Sequence, residues 1–137
     1  MTAPFRLTRP VPSEAAEQTA LLRWTAMAER QYSALRWLLA IPNGLAASSK
    51  GAAKRMKDQG MKAGVPDLFL PAPVPPYAGL WIEMKIRQGG RVSTAQREWH
   101  AYLAAAGYQV AVCRGWEEAR RTLLAYLNPE AETDVPF

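Results

Sequence analysis

Three residues of this chain have types and spacing suited to hydrolytic chemistry: Asp67, Glu83 and Lys85. Residues 80–86 (LWIEMKI) read as a strand, and strand alternation puts Trp81, Glu83 and Lys85 on one face and Ile82 and Met84 on the other. A carboxylate and an ammonium on one face of an apolar strand are costly to bury unless they have partners or a task. Asp67 heads a neighbouring strand. Two carboxylates on adjacent strands can share a divalent cation such as Mg²⁺, which takes hard oxygen ligands and keeps several waters. A lysine beside that ion orients or deprotonates an attacking water, or stabilises an anionic transition state. The set suits phosphodiester hydrolysis. Spacing alone leaves a plainer reading open, in which an Asp after Pro66 caps a turn and Glu83 and Lys85 form a solvated edge pair.

The elements that must position these groups follow from local signals. Ser13 can cap a helix running to about residue 32, with Glu14 and Glu17 in its first turn, where the helix dipole favours them. A strand is predicted over 35–41, stopped by Pro42-Asn43-Gly44, and a short helix over 51–59, ended by Gly60. A strand over 65–70 takes Pro66 only at its start. A loop with four prolines (71–79) leads to the 80–86 strand, and Gly89-Gly90 makes a turn. A helix from Ser93 to about 106, a strand over 108–114 and a helix over 116–127 complete the order α-β-(α)-β-β-α-β-α. That order predicts an α/β core with a mixed sheet flanked by helices. The predicted organisation is an arm over 1–12, one domain over 13–127 and a tail over 128–137.

Composition bounds the rest. The chain has 137 residues and a net charge of +5, which suits a polyanionic partner. One cysteine, Cys113, excludes an internal disulfide and a Cys-rich zinc site. One histidine, His100, excludes paired-His metal motifs, and its place on an amphipathic helix reads as structural or exposed. Residues 1–12 have no apolar core of a signal peptide, and the longest apolar runs fall far short of the roughly 20 residues of a membrane span. The expectation is a cytoplasmic protein with no membrane partner. No Gly-rich phosphate loop or dinucleotide fingerprint supports a metabolic α/β enzyme.

Four ordered blocks carry a resemblance: Gly64-Val65-Pro66-Asp67-Leu68, Trp81-Ile82-Glu83-Met84-Lys85, Ser93-x-x-Gln96-x-x-Trp99 and Gly107-Tyr108-x-Val110, with Ile41-Pro42-Asn43-Gly44 upstream. Together they resemble the VRR-NUC domain of the PD-(D/E)XK nuclease superfamily, in its stand-alone phage or bacterial form. The resemblance implies a restriction-endonuclease-like core and a Mg²⁺- or Mn²⁺-dependent endonuclease acting on branched DNA, four-way junctions or flaps, in the manner of Holliday-junction resolvases. It implies that Asp67 and Glu83 bind metal, that the Met84 carbonyl is a backbone ligand and that Lys85 is the catalytic lysine. A further acid is expected from the first helix, Glu14 or Glu17. It also places Gln96 at the active site, although Ser93-Thr94-Ala95-Gln96 reads equally as a capping box.

Cations cluster beside these blocks. Lys50, Lys54, Arg55, Lys57 and Lys62 stand against only Asp58, and Arg87 and Arg91 follow the Glu-x-Lys strand. They read as phosphate contacts around an anionic metal site, or as a solvated helix face. A non-catalytic DNA-binding module on the same fold is the alternative function, and it would not need carboxylates near phosphate. Two cuts on a four-way junction need two sites, so a homodimer is expected, with Trp24, Trp37, Trp99, Tyr102 and Trp116 as candidate interface aromatics.

Overall fold

The computed structural model describes residues 10–42 and 49–130. Residues 1–9 of the arm, Asn43 and Gly44 of the upstream block, and 131–137 of the tail lie outside the described residues. Helix α1 spans Glu14–Ala28, and the Ser13 hydroxyl accepts from the Ala16 N–H at 3.1 Å as its cap. The predicted strand over 35–41 is instead a 3₁₀ helix, Ser33–Trp37, followed by a two-residue strand β1, Leu39–Ala40. The reason is the spacing of the apolar anchors. Leu35 and Leu38 are both buried while Trp37 and Leu39 are exposed, a three-residue period rather than a two-residue one.

Helix α2 (Lys50–Asp58) is capped by Ser49 and buries none of its residues. Strand β2 (Leu68–Leu70) is shorter than predicted, because Val65 and Pro66 stay outside the ladder. Strand β3 is Leu80–Lys85, α3 is Thr94–Ala105, β4 is Gln109–Arg114 and α4 is Trp116–Leu127. The sheet order is β1-β2-β3-β4, with β1–β2 and β2–β3 antiparallel and β3–β4 parallel. The parallel pair needs a crossover, and α3 supplies it. The mixed sheet flanked by helices is the predicted α/β architecture. No helix among the described residues is long and apolar enough to cross a membrane.

Both faces of β3 are covered, with different chemistry. Leu68, Leu70, Leu80, Ile82, Met84 and Cys113 join Leu21 of α1 and Ala119, Leu123 and Tyr126 of α4 in the main core. Each fully buried leucine there contributes about 2 kcal/mol. On the other face Phe69 stacks on Trp81 with ring centroids 4.2 Å apart, and Tyr108 meets both edge-on. The same face continues along β3 to Glu83 and Lys85.

An ion pair between buried Glu17 and half-exposed Arg87 ties α1 to α4 and to the chain leaving β3. Glu17 accepts from Arg87 Nε at 2.8 Å and from the backbone N–H of Trp116, the first residue of α4. That amide is one of the donors a helix N-terminus leaves unsatisfied. Arg87 also pairs with Glu117. Gly115 precedes α4 at φ +88°, and a Cβ there would press on the Arg87 side chain at 3.2 Å. Burial works against the charge of Glu17, but the Arg87 hydrogen bond, the Trp116 N–H and the Arg87 charge outweigh it and hold its pKa below the usual carboxylate value. A depressed folded pKa gives stability that is present above about pH 4.5 and lost as pH falls through the folded value. Glu17→Gln is therefore expected to cost about 2 kcal/mol in urea denaturation at pH 7. The difference from wild type should narrow as pH falls below about 4.5. A gap that stays unchanged as the pH is lowered until the protein unfolds would refute the ionic account.

Candidate active site

Asp67 is held by the backbone on both sides of it. Its carbonyl accepts from the Ile41 N–H at 2.8 Å, and its Oδ2 accepts from the Met84 N–H at 2.7 Å. The loop that delivers it lies against the start of α3. Gly64 sits there at φ +90°, and a Cβ would lie 2.6 Å from the backbone carbon of Ala95, so glycine is required twice over. Glu83 projects from β3 and is buried, with its carboxyl close enough to that of Asp67 to raise its pKa. Lys85, 6% exposed, follows on the same face.

The electrostatics are those of crowded acids. Burial, the Asp67 carboxyl and its charge, and the charge of Glu14 push Glu83 up to about 9, against the opposing pull of Lys85. On the other side of Glu83, His100 of α3 places Nε2 3.4 Å from Oε1. Both atoms are buried and neither has a hydrogen-bond partner. Burial first, and then the Lys85 charge, lower the His100 pKa while Asp67 works against them, which favours a neutral ring. His100 is the site neighbour that sequence reasoning missed. Its position one turn after Gln96 was the available signal.

Among the described residues no group of three or more His, Cys, Asp and Glu side chains gathers at metal-binding spacing. The hard donors are two carboxylates, Asp67 and Glu83, with Glu14 close enough to bear on Glu83. Two carboxyls close enough to raise the pKa of one of them form the arrangement that a divalent cation relieves. These residues fit such an ion.

Two clefts meet this cluster. One, of about 880 Å³, is lined by Glu14, Gln18, Asp67 and Met84. The other, of about 760 Å³, is lined by Lys54, Lys57, Lys62, Arg91, Gln96 and Lys85. Glu14 thus shares a wall with Asp67 and Met84. Glu17 does not join them, because its carboxylate is taken up by Arg87 and the α4 amide. The same pair corrects the expectation for Arg87, whose guanidinium is occupied by Glu17 and Glu117 rather than turned to a ligand. Gln96 completes the capping box, its Oε1 accepting from the Ser93 N–H at 2.8 Å, and also lines the cleft with Lys85. Lys50 and Arg55 lie on exposed parts of α2, and Lys54 pairs with Asp58 at 3.3 Å. Trp24 and Trp116 pack against the core, whereas Trp37 and Tyr102 are 61% and 67% exposed.

A solved structure described as a VRR_NUC domain protein is similar to this chain, with 26% identity, a TM-score of 0.72, and coverage of 87% of this chain and 91% of that one. Among curated proteins none matches. The family model for the VRR-NUC domain matches residues 12–117, a span that holds both carboxylates, Lys85, Gln96 and the cationic helix α2. On that match the chain belongs to the VRR-NUC domain family, and its body is a nuclease-type DNA-processing domain.

Proposed function

We propose that this protein is a Mg²⁺- or Mn²⁺-dependent endonuclease that hydrolyses phosphodiester bonds in branched DNA, four-way junctions or flaps, and works as a homodimer. The observation that carries the reading is the closeness of Asp67 and Glu83, with Lys85 next on the same face of β3, near the cleft that Glu14 and Asp67 line and the cleft with the cationic rim. Asp67, Glu83, the Met84 carbonyl and Glu14 would hold the ion. When bound, it supplies Lewis acidity and an acidified water. Lys85 sets a compact positive charge beside the phosphate, where negative charge develops as water attacks. Lys57, Lys62 and Arg91 draw the neighbouring phosphates along their cleft. A homodimer is supported by exposed Trp37 and by exposed Leu39 of the outermost strand β1, apolar surface of the kind interfaces cover.

The direct test incubates labelled four-way junction, flap and linear duplex with and without Mg²⁺ or Mn²⁺. Cleavage of the branched substrates only with metal, as paired nicks on the junction, is expected. Binding to all three without cleavage under any condition would leave a non-catalytic module.

Asp67→Asn and Glu83→Gln should abolish cleavage while leaving the fold intact. For Glu83 the substitution should also stabilise the metal-free protein. An acid whose folded pKa is raised contributes stability fully present below its unfolded value near 4.5, and loses it as pH rises towards 9. Glu83→Gln in EDTA should therefore raise the thermal midpoint by several degrees at pH 8, and the gain should vanish near pH 4.5. A lower midpoint at pH 8 would show that the carboxylate is not under electrostatic stress. Lys85→Ala should lose most activity yet keep Mn²⁺ affinity in calorimetry.

DNA affinity should fall with salt at a log–log slope of about −4 if four to five phosphates are contacted. Replacing Lys57, Lys62 and Arg91 together by alanine should flatten that slope by about two to three. Arg87→Ala should leave the slope unchanged, since Arg87 is occupied by carboxylates. Equal slopes in the triple variant and the wild type would mean that the cleft rim does not touch phosphate.

A further inference from the structure

The cationic cleft is not cationic throughout. Its floor is apolar and half-buried, made by Ala53 and Met56 of α2, Met61, Val65 and Ala95. Its rim is exposed and positive, with Lys57, Lys62 and Arg91. Lys85 and Gln96 also line it, and Lys85 stands two residues after Glu83 on β3. A surface that only followed a phosphate backbone would need the rim and not the floor. A volume of about 760 Å³ falls in the range of pockets that enclose organic rings. Methionine thioethers are soft and make favourable contacts with π-faces, so this floor accepts a flat aromatic ring without demanding one hydrogen-bond pattern. A rim of cations around an apolar floor is complementary to one molecule in particular, a nucleotide with its base down and its phosphates up.

We propose that this cleft receives one unstacked nucleobase next to the phosphate that is cut. The inference rests on the nuclease reading above and narrows its substrate. In continuous duplex every base is paired and stacked, and withdrawing one costs unpairing energy, which is least where the base is already unpaired. The preferred substrate is therefore DNA with an unpaired nucleotide beside the cut, as at a flap or a splayed fork. The cleft selects structure and not sequence, because its floor carries no fixed set of donors and acceptors.

The test uses splayed-arm DNA carrying 2-aminopurine at successive positions through the branch, bound in Ca²⁺ to the full chain, with continuous duplex as the comparison. In the wild-type complex one position in the splayed arm should change its fluorescence severalfold, and none in the duplex. Ala53→Phe fills the cleft from a helix that buries no residue, so the core stays intact. It should abolish the signal and slow cleavage of the splayed arm by about tenfold, the scale of one base contact. Its Mn²⁺ affinity should equal that of wild type. Met61→Ala, which removes part of the floor, should weaken the same signal. The proposal is overturned if no position responds, if Ala53→Phe responds as wild type does, or if continuous duplex is cut as fast as the splayed arm. Failure of the wild type to cut any DNA with Mg²⁺ or Mn²⁺ would end the nuclease reading instead, while the fluorescence in Ca²⁺ still decides whether a base enters the cleft.

Discussion

Two carboxyl groups held close together, one of them buried, are the constraint around which this molecule is arranged. Like charges at that distance cannot both ionise without a cation, and burial makes the conflict sharper. The fold keeps Asp67 and Glu83 together regardless. Asp67 is pinned by the Met84 and Ile41 backbones, and Glu83 is carried on an inner strand that neighbours hold on both sides. Asp67 cannot swing away without losing its bond from the Met84 N–H. The stress is thus stored in rigid elements, the usual place for a site whose geometry must precede its ligand.

The acids of α1 illustrate how position along one helix turn separates two roles. Glu14 lies on the wall shared with Asp67 and Met84, whereas Glu17 faces the interior and closes a pair with Arg87 while capping α4. The second arrangement serves the first. By fixing α1 against α4 and against the chain leaving β3, it sets where α1 begins, and so where Glu14 stands. His100 adds a polar ring to the other side of Glu83 from an independent element, α3.

The charge distribution divides the surface in the same way. The cleft on the α1 side carries the two acids Glu14 and Asp67, and the cleft on the α2 side has a cationic rim and takes in Lys85. Helix α2 buries none of its own residues, so its cations are displayed by a peripheral element while the core is left to apolar side chains.

Much of this was legible in the chain. The Glu83–Lys85 alternation, the Ser13 and Ser93 caps and the glycine-delimited helices are local patterns, and local backbone preferences produce them directly. The order of elements that implies a mixed sheet is likewise a property of the sequence. The family blocks carried the Asp67, Glu83 and Lys85 assignment. What only the tertiary structure decided are matters of long-range proximity. Residues 35–41 read as a strand, yet they close on the core through Leu35 and Leu38, and that packing selects a 3₁₀ turn over extension. Glu14 and Glu17 are equivalent by local chemistry, and only the arrival of Arg87 and Trp116 from distant parts of the chain separates them. Arg87 looked free for the same reason, and His100 looked idle. The sequence by itself determined which groups could ionise, bind metal or bind phosphate. The tertiary structure decided which of them meet, because ion pairing and burial depend on distances of a few ångströms between residues that are 70 or 99 positions apart in the chain.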